Sequence, residues 1–288
     1  MPHIDRATLT EKLSCGDLVP YLGHEALKGS LNIETAQPIP ADSNSLILAI
    51  NNGKPMAPRL MYEFARAAMD VELKRGRAAI QRSLDFTYHE QQWSRSSVHT
   101  WLAGVMPPYV IDINRDTQLQ DTYSGTPHIL VRGVARIAGT DFRFRIHHYD
   151  GERYTEIDQT DVDRTLPVLF KPMGSPIPDS NYIASDADYV DYITELMGGF
   201  AIPDFLKASR VGKQYLFIGL RLLRDTERMV MSDLIYAAGD PAGWAFIPEP
   251  TDKEYRFCRR KNIEIVESDF LDFLEIGTNA EAIAQGLI

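Results

Sequence analysis

Two side chains suited to holding a ligand follow a short apolar run near the middle of the chain. The run covers residues 109–113 and ends in Asn114, Arg115 and Asp116. An apolar stretch that stops abruptly in polar residues is typical of a buried strand that delivers side chains at its carboxyl end. In open α/β sheets, ligands bind in the crevice beyond those strand ends. The sequence therefore predicts that Asn114 and Asp116 form the floor of a ligand site.

Three further apolar runs end in loops that could join this floor. They are followed by Gly23, by the loop 171–176 and by Gly219. Glycine permits a close approach of the backbone to a ligand because it has no Cβ atom. We expect the ends of these parallel strands to converge with Asn114 on one shared pocket.

The elements that must position these loops alternate along the second half of the chain. Apolar runs predict strands, and stretches with N-cap signals predict the helices between them. Strands are expected at 166–170, 213–219, 243–248 and 263–266, and helices at 185–196, 226–238, 251–261 and 270–276. Repeats of this spacing form right-handed βαβ units. The predicted fold class is therefore α/β, with a Rossmann-like, mainly parallel sheet.

Two segments depart from this alternation. Residues 55–105 are predicted to form a helical insertion, with one long amphipathic helix over 58–84 and a further helix over 86–102. Residues 128–163 contain β-rich runs separated by a turn, which predicts a small β-hairpin insertion. We expect residues 1–288 to form a single domain that carries both insertions.

Composition restricts the classes of partner. A net charge of −10 opposes non-specific attraction to phosphates, so no nucleic-acid partner is expected. Cys15 and Cys258 are too few for a four-cysteine zinc site, no metal site is predicted, and a reducing cytoplasm is the expected location. The sequence has no run of about 18 apolar residues, which predicts no membrane-spanning helix.

The order of the strand-end loops resembles the sirtuin-like domains, a broad bacterial group related to NAD-dependent protein deacylases. Residues 19–23 are similar to the strand that leads into the family's Gly-Ala-Gly loop, and residues 113–116 resemble its Asn-x-Asp motif. Residues 171–175 stand where the family has Lys-x-His-Gly-Ser. Residues 217–225 resemble its Gly-x-Ser-x-x-Asp loop, with one extra residue and no serine. The resemblance extends over residues 18–273, and this chain would be a divergent member.

The resemblance implies a ligand and a set of contacts. In that family the Asn helps to place the nicotinamide ribose and a water, and the Asp hydrogen-bonds the nicotinamide amide. By resemblance these roles fall to Asn114 and Asp116, and the cofactor is NAD or an ADP-ribose-type nucleotide. The residues implied to contact it are Gly23, Asn114, Asp116, Met173, Gly174, Gly219, Leu220 and Asp225.

Two departures from the family pattern affect the chemistry. The family's Gly-Ala-Gly is Gly23-His24-Glu25 here, and Glu25 adds an anion where a pyrophosphate would lie. Met173 replaces the family's base His, and a thioether cannot take a proton at pH 7. Loss of such a proton transfer removes about two to four orders of magnitude of rate. His24 is the histidine best placed to substitute.

Three functions follow as alternatives. The first is a nucleotide-binding sensor or protein-binding module that has lost ordinary deacylase chemistry. The second is an NAD glycohydrolase, in which Asn114 and Asp116 hold the nicotinamide riboside end and His24 or a water replaces the missing base. The third is a structural interaction protein without a ligand, which the sequence at 23–25 favours. The identity of a protein partner and the formation of a homo-oligomer stay open.

Overall fold

A computed structural model describes residues 6–137 and 142–274 of the chain. The strands are β1 (Leu18–Leu22), β2 (Tyr109–Asp112), β3 (His128–Gly133), β4 (Phe144–Tyr149), β5 (Tyr154–Ile157), β6 (Val168–Lys171), β7 (Gly174–Ser175), β8 (Asn181–Tyr182), β9 (Gln214–Ile218), β10 (Gly243–Phe246) and β11 (Ile263–Val266). Within these residues a nine-stranded sheet has the order β11-β10-β9-β1-β2-β6-β3-β4-β5, and β7 pairs with β8 separately.

The central sheet is parallel over most of its width. All neighbours from β11 to β3 pair in parallel, and only β4 and β5 at one edge run antiparallel. This arrangement confirms the predicted α/β fold class. The predicted hairpin exists as β3 and β4, but β3 also pairs in parallel with β6, so the hairpin continues the central sheet. A local turn signal cannot reveal that second pairing, because it joins segments far apart in the sequence.

Helices cover both faces of the sheet. They are α1 (Arg6–Ser14), α2 (Ser43–Ile50), α3 (Phe64–Arg75), α4 (Arg77–Asp85), α5 (Ser97–Val105), α6 (Gln118–Thr122), α7 (Asp186–Gly198), α8 (Asp204–Ser209), α9 (Asp225–Leu234) and α10 (Asp252–Arg260). Residues 270–274 are also helical. The predicted N-caps are confirmed, because Ser185 precedes α7 and Thr251 precedes α10, where Thr251 and Glu254 form a capping box. No helix of the described residues has the length and apolar character needed to cross a membrane.

Two helix predictions in the first half were wrong. The expected helix over 58–84 begins only at Phe64 and breaks at Gly76, which has a φ of +81° and separates α3 from α4. Glycine adopts such a φ without the steric cost that a Cβ atom imposes. The expected helix over 86–102 is instead a π-helical turn over Phe86–Glu90, a non-helical segment and α5. The Ser96 side chain accepts a hydrogen bond from the His99 backbone and so starts α5 as a new helix.

Three apolar clusters hold the fold together. Alternate residues of β1 point to opposite faces of the sheet, so that Tyr21 joins one cluster and Leu22 the other. The third cluster lies among α2, α3 and α4, and it also includes Tyr182 of β8. These three helices are called the helical unit below. The helical unit therefore has an apolar core of its own, and this core contacts the rest of the chain through Tyr182 and Ala184.

Candidate functional site

The order in which strands are added to the sheet switches sides at β1. The chain passes from β1 to β2 on one side, and it later returns to β9 on the other side. Such a switch point leaves a crevice at the carboxyl ends of the two diverging strands, where α/β proteins bind ligands. Gly23 and Gly219 follow β1 and β9 at this point. The structure thus places both predicted glycines at the switch point.

The two glycine loops are packed directly against each other. The Gly23 N–H donates to the Ile218 carbonyl at 2.8 Å, and the Glu25 N–H donates to the Gly219 carbonyl at 2.9 Å. A Cβ atom on Gly23 would lie 2.5 Å from the Gly219 oxygen, and one on Gly219 would lie 2.3 Å from the Ala26 nitrogen. Only glycine therefore fits at position 23 or 219. The backbone N–H groups of Gly23 and Glu25 are already hydrogen-bonded within the protein.

Asn114 lies beside this contact and is almost fully buried. Its Nδ2 donates to the Gly23 carbonyl at 2.9 Å and to Asp112 Oδ1 at 2.9 Å. Asp112 Oδ1 also accepts from the Asn114 backbone N–H, while Lys171 Nζ donates to Asp112 Oδ2 at 2.6 Å. Among the described residues, Asn114 Oδ1 has no hydrogen-bond donor. Asn114 therefore presents a free acceptor next to Gly23.

Asp116 supplies a second free acceptor. Its Oδ1 accepts from the Gln118 backbone N–H at 2.7 Å, whereas its buried Oδ2 has no partner within the described part of the chain. Burial raises the pKa of Asp116 to about 6, the Lys171 charge opposes this shift, and the Asp112 charge adds to it. A carboxyl group with such a pKa changes its protonation state just below neutral pH.

His24 forms a dyad with a carboxylate from the other side of the crevice. Its Nε2 lies 2.9 Å from Glu227 Oε1, near the start of α9. Burial by itself lowers the pKa of His24, but the hydrogen bond and the charge of Glu227 outweigh burial, so the net shift is upward. Next to this pair, Thr226 Oγ1 donates to Glu63 Oε1 at 2.7 Å. His24 can therefore hold a proton in the pH range where enzymes use histidine as a base.

Met173 lies in the apolar core after β6. Its side chain is 3% exposed and belongs to the cluster that contains Ile113 and Ile183, and its carbonyl accepts from the Ile183 N–H at 3.1 Å. Gly174 follows with a φ of +81° and pairs with Tyr182 across β7 and β8. The position that resembles the family's base is thus filled by a packed thioether.

The remaining predicted contacts lie apart from one another. Leu220 is buried in the same apolar cluster, whereas the Asp225 side chain is 80% exposed and pairs with Arg228. The structure therefore brings together Gly23, Asn114 and Gly219 but leaves Asp225 at the surface. Glu227, two residues after Asp225, is the acidic residue that reaches His24.

The helical unit and the turn after it cover the end of β2. Arg115 is buried, and both its Nε and its Nη2 donate to the Ile183 carbonyl, at 3.0 and 2.6 Å. Its guanidinium lies 5.1 Å from the centroid of the Phe64 ring of α3. Burial raises the pKa of Tyr88 in the π-helical turn, and the charges of Arg115 and Asp116 also act on this pKa. The site thus lies between the sheet and this helical cover.

Protein atoms cover Asn114 and Asp116, which are 3% and 2% exposed. A separate cavity of about 10 Å³, with room for about one water, lies between Glu25, Gly219 and Phe270. A larger cavity of about 130 Å³ lies between α4 and α7, beside Asp188 and Tyr182. Among the described residues, no group of three His, Cys, Asp or Glu side chains is arranged to hold a metal ion.

Sequence reasoning gave no role to three charged residues of this site: Asp112, Arg115 and Lys171. Asp112 interrupts the apolar run of β2, and Lys171 ends the run of β6. A charge inside a buried strand pattern requires a partner, and this was the available signal. The partner itself could not be named, because Asp112 and Lys171 are 59 positions apart.

Fold and site together define the class of protein. It is an α/β protein with a Rossmann-like parallel sheet, whose buried Asn and Asp lie beyond the strand ends at a switch point. A sequence model of the SIR2-like domain family matches residues 110–266, more than half of the chain, and the chain belongs to this family. The match confirms the resemblance to sirtuin-like domains, a family associated with NAD. A search of curated proteins found no match.

Proposed function

We propose that this chain binds NAD or an ADP-ribose-type nucleotide at the carboxyl ends of β1, β2 and β9. The observation that carries the proposal is the pair of buried acceptors, Asn114 Oδ1 and Asp116 Oδ2, which lack donors among the described residues. Buried polar atoms are normally hydrogen-bonded, so a ligand that donates to both atoms would complete the site. The hydroxyl groups of a ribose and the amide of nicotinamide are donors of this kind.

The proposal includes the loss of ordinary deacylase chemistry. The position of the family's base is occupied by Met173, whose thioether is packed in the apolar core. A methionine cannot accept a proton from a ribose hydroxyl at neutral pH. Binding without this turnover suits a nucleotide sensor or a module that binds a protein partner in response to the nucleotide.

A second candidate function is an NAD glycohydrolase, which the His24–Glu227 dyad favours. A carboxylate that holds an imidazole is the arrangement that prepares a histidine as a general base. In this reaction a water adds to the ribose carbon, the bond to nicotinamide breaks, and His24 takes the proton of the water. Asn114 and Asp116 would hold the nicotinamide riboside end during this step.

Calorimetry and thermal unfolding with NAD and with ADP-ribose test the binding proposal. We expect heat of binding and a higher melting temperature for the wild type, and an affinity about ten-fold or more weaker for Asn114→Ala. Asn44→Ala is the matched control, because Asn44 is exposed on α2, outside the site. If neither nucleotide gives heat or a thermal shift, binding of NAD and ADP-ribose is excluded. The chain would then be a structural interaction protein without a ligand.

An assay for nicotinamide release separates the two candidates. A sensor is expected to return bound NAD intact after incubation. A glycohydrolase is expected to release nicotinamide, and its rate should fall about a hundred-fold or more in His24→Gln. Release that persists in both His24→Gln and Asn114→Ala would show that the activity does not arise at this site.

A further inference from the structure

We propose that Lys171 and Asp112 are positioning residues that fix which way the Asn114 amide faces. They would thereby make Asn114 and Asp116 a matched pair of acceptors for the hydroxyl or amide donors of a ligand. This inference rests on the proposed nucleotide site and deepens it, because it assigns the two residues that prepare the site.

The ion pair is completely buried, and stability alone does not explain this burial. The Lys171 and Asp112 side chains are both 0% exposed, and they join the neighbouring strands β6 and β2 across 2.6 Å. Desolvation of two charges can cost more than their attraction returns, and well-packed apolar side chains often replace such a pair without loss. The pair therefore calls for a role other than holding two strands together, and its contact with Asn114 supplies one.

The hydrogen bonds allow only one orientation of the Asn114 amide. Its Nδ2 faces two acceptors, the Gly23 carbonyl and Asp112 Oδ1. A flipped amide would place Oδ1 against those same oxygen atoms, which have no hydrogen to offer. Lys171 donates to the other oxygen of Asp112, so the carboxylate is held in place. Asn114 Oδ1 is consequently left for a donor from outside the protein.

The same ion pair acts on the second acceptor. Lys171 on β6 lowers the pKa of Asp116 and Asp112 on β2 raises it, against the larger effect of burial. The charge of Asp116 also acts on the pKa of Tyr88 in the π-helical turn, and the charges of Asp112 and Lys171 act on the pKa of the buried His99 in α5. Removal of Lys171 alone would therefore raise the pKa of Asp116 and weaken an acceptor that a ligand needs in its ionised form.

Two double variants separate positioning from general stability. Asp112→Leu/Lys171→Met removes both charges and the acceptor for Asn114, whereas Asp112→Asn/Lys171→Met removes the charges but keeps an acceptor oxygen. We expect the first to bind NAD about ten-fold more weakly than the wild type, and the second to stay within about three-fold, since one hydrogen bond corresponds to roughly a factor of ten.

A matched control lies on the next strand. Arg132 stands opposite Lys171 in the β3–β6 register, is equally buried and pairs with Asp179 at 2.5 Å. Arg132→Met/Asp179→Leu removes an ion pair whose cation is equally buried, whose carboxylate is 57% exposed, and which does not bond to Asn114. It is expected to bind NAD within about three-fold of the wild type. Equal losses of affinity in all three double variants would show a general effect of core charges and overturn the positioning role.

A readout without ligand separates this inference from the proposed function. The side-chain N–H protons of Asn114, followed by nitrogen-15 NMR on asparagine-labelled protein, should exchange slowly in the wild type and in Asp112→Asn/Lys171→Met. They should exchange about ten-fold or more faster in Asp112→Leu/Lys171→Met. This pattern in a protein that binds no nucleotide would reject the nucleotide and retain the positioning role. Unchanged exchange in the Leu/Met variant would reject the positioning role, whatever the ligand.

Discussion

Four charged side chains are buried at the ends of β2 and β6: Asp112, Arg115, Asp116 and Lys171. Asp112 and Lys171 pair with each other, Arg115 donates to a backbone carbonyl, and Asp116 is satisfied only in part. Asp116 is the least satisfied, because one of its oxygens has no donor within the described residues. Shifted pKa values and unpaired polar groups are common at functional sites, where they reduce stability in exchange for binding or catalysis. The loss of folding stability caused by the unsatisfied Asp116 should therefore be measurable.

Asp116→Asn is expected to stabilise the protein at neutral pH. The folded-state pKa of about 6 lies above the ordinary value of 3.8, so the native state binds the proton more tightly than the unfolded state does. Stability therefore falls as pH rises from about 4 to 6, and the full cost, about 2–3 kcal/mol, is present above that window. The amide keeps an acceptor for the Gln118 N–H and carries no charge.

Urea unfolding of both proteins between pH 4 and 8 measures this effect. The advantage of Asp116→Asn should grow with pH up to about 6 and then level off. The same variant should bind NAD more weakly, because an amide can turn its NH₂ group toward the donors of the ligand. A constant difference in stability across the pH range would contradict the assigned pKa shift.

Glu227→Gln is expected to lower the pKa of His24 and to destabilise the protein in a pH-dependent way. Glu227 raises this pKa above 6.5 in the folded state, against the effect of burial. The stabilisation is therefore fully present below about pH 6.5 and is lost as pH rises through the folded pKa. We expect a loss of about 1 kcal/mol near pH 6 that shrinks toward pH 9.

Titration of the His24 ring by NMR provides the direct measurement. In Glu227→Gln its pKa should fall below that of the wild type, because burial is then the dominant influence. Glu195→Gln, on the neighbouring helix α7, is a suitable control, since no ion pair of Glu195 is found among the described residues. An unchanged His24 titration in Glu227→Gln would mean that the dyad does not form in solution.

The elements of the second half could be predicted from the sequence because each carries its own signal. The run 213–219, the N-cap at Ser185 and the capping box at Thr251 predict β9, α7 and α10 from local residues alone. The helical unit could not be predicted in the same way, because its apolar period continues across the break at Gly76. The Asp112–Lys171 pair could not be predicted for another reason, because it forms only when β2 and β6 are neighbours in the sheet.

The contact between the ends of β1 and β9 makes a prediction about glycine. Gly23→Ala would bring a Cβ atom to 2.5 Å from the Gly219 oxygen, so one of the two loops must move. We expect a loss of about 2–3 kcal/mol in the free energy of unfolding. Gly104→Ala is the matched comparison, because Gly104 lies within α5 with no atom in reach of the added methyl group.

Gly104→Ala is expected to stabilise the protein by about 0.5–1 kcal/mol, since alanine is the better helix former. Urea unfolding of both variants gives the two values. Opposite signs for the two substitutions would support the tight packing of the loops at the switch point. A neutral Gly23→Ala would show that the β1 and β9 loops separate easily, which would leave the crevice open without any change elsewhere.

For the molecule as a whole, access to the site depends on the helical unit. Asn114 and Asp116 are 3% and 2% exposed, so a nucleotide can reach them only after a local opening. Phe64 of α3 covers Arg115, and polar contacts attach the helical unit to the rest of the chain. They include Arg77 to Asp188, Glu72 to Arg136, Asp85 to Tyr182 and Glu63 to Thr226. Asp188 is central among them, because it also accepts from Arg136 at 2.8 Å.

Asp188→Asn is therefore expected to loosen the helical unit and to speed the entry of a nucleotide. The amide can still accept from the Ser185 N–H at the start of α7, but the charge that holds Arg77 and Arg136 is gone. A loss of about 1–2 kcal/mol at this contact corresponds to roughly 5–30-fold faster hydrogen exchange in α3 and α4. Asp70→Asn is the control, because the partner of Asp70 among the described residues is Lys74, within α3.

Stopped-flow association with NAD completes this test. If opening of the helical unit limits access, the association rate should rise in Asp188→Asn together with hydrogen exchange, and Asp70→Asn should change neither. Faster exchange with an unchanged association rate would place the entrance elsewhere, between the β1 and β9 loops, where Gly23 meets Gly219. The two routes break different contacts. Entry between those loops would break the backbone hydrogen bonds that join them at the switch point, whereas opening of the helical unit would leave these bonds intact.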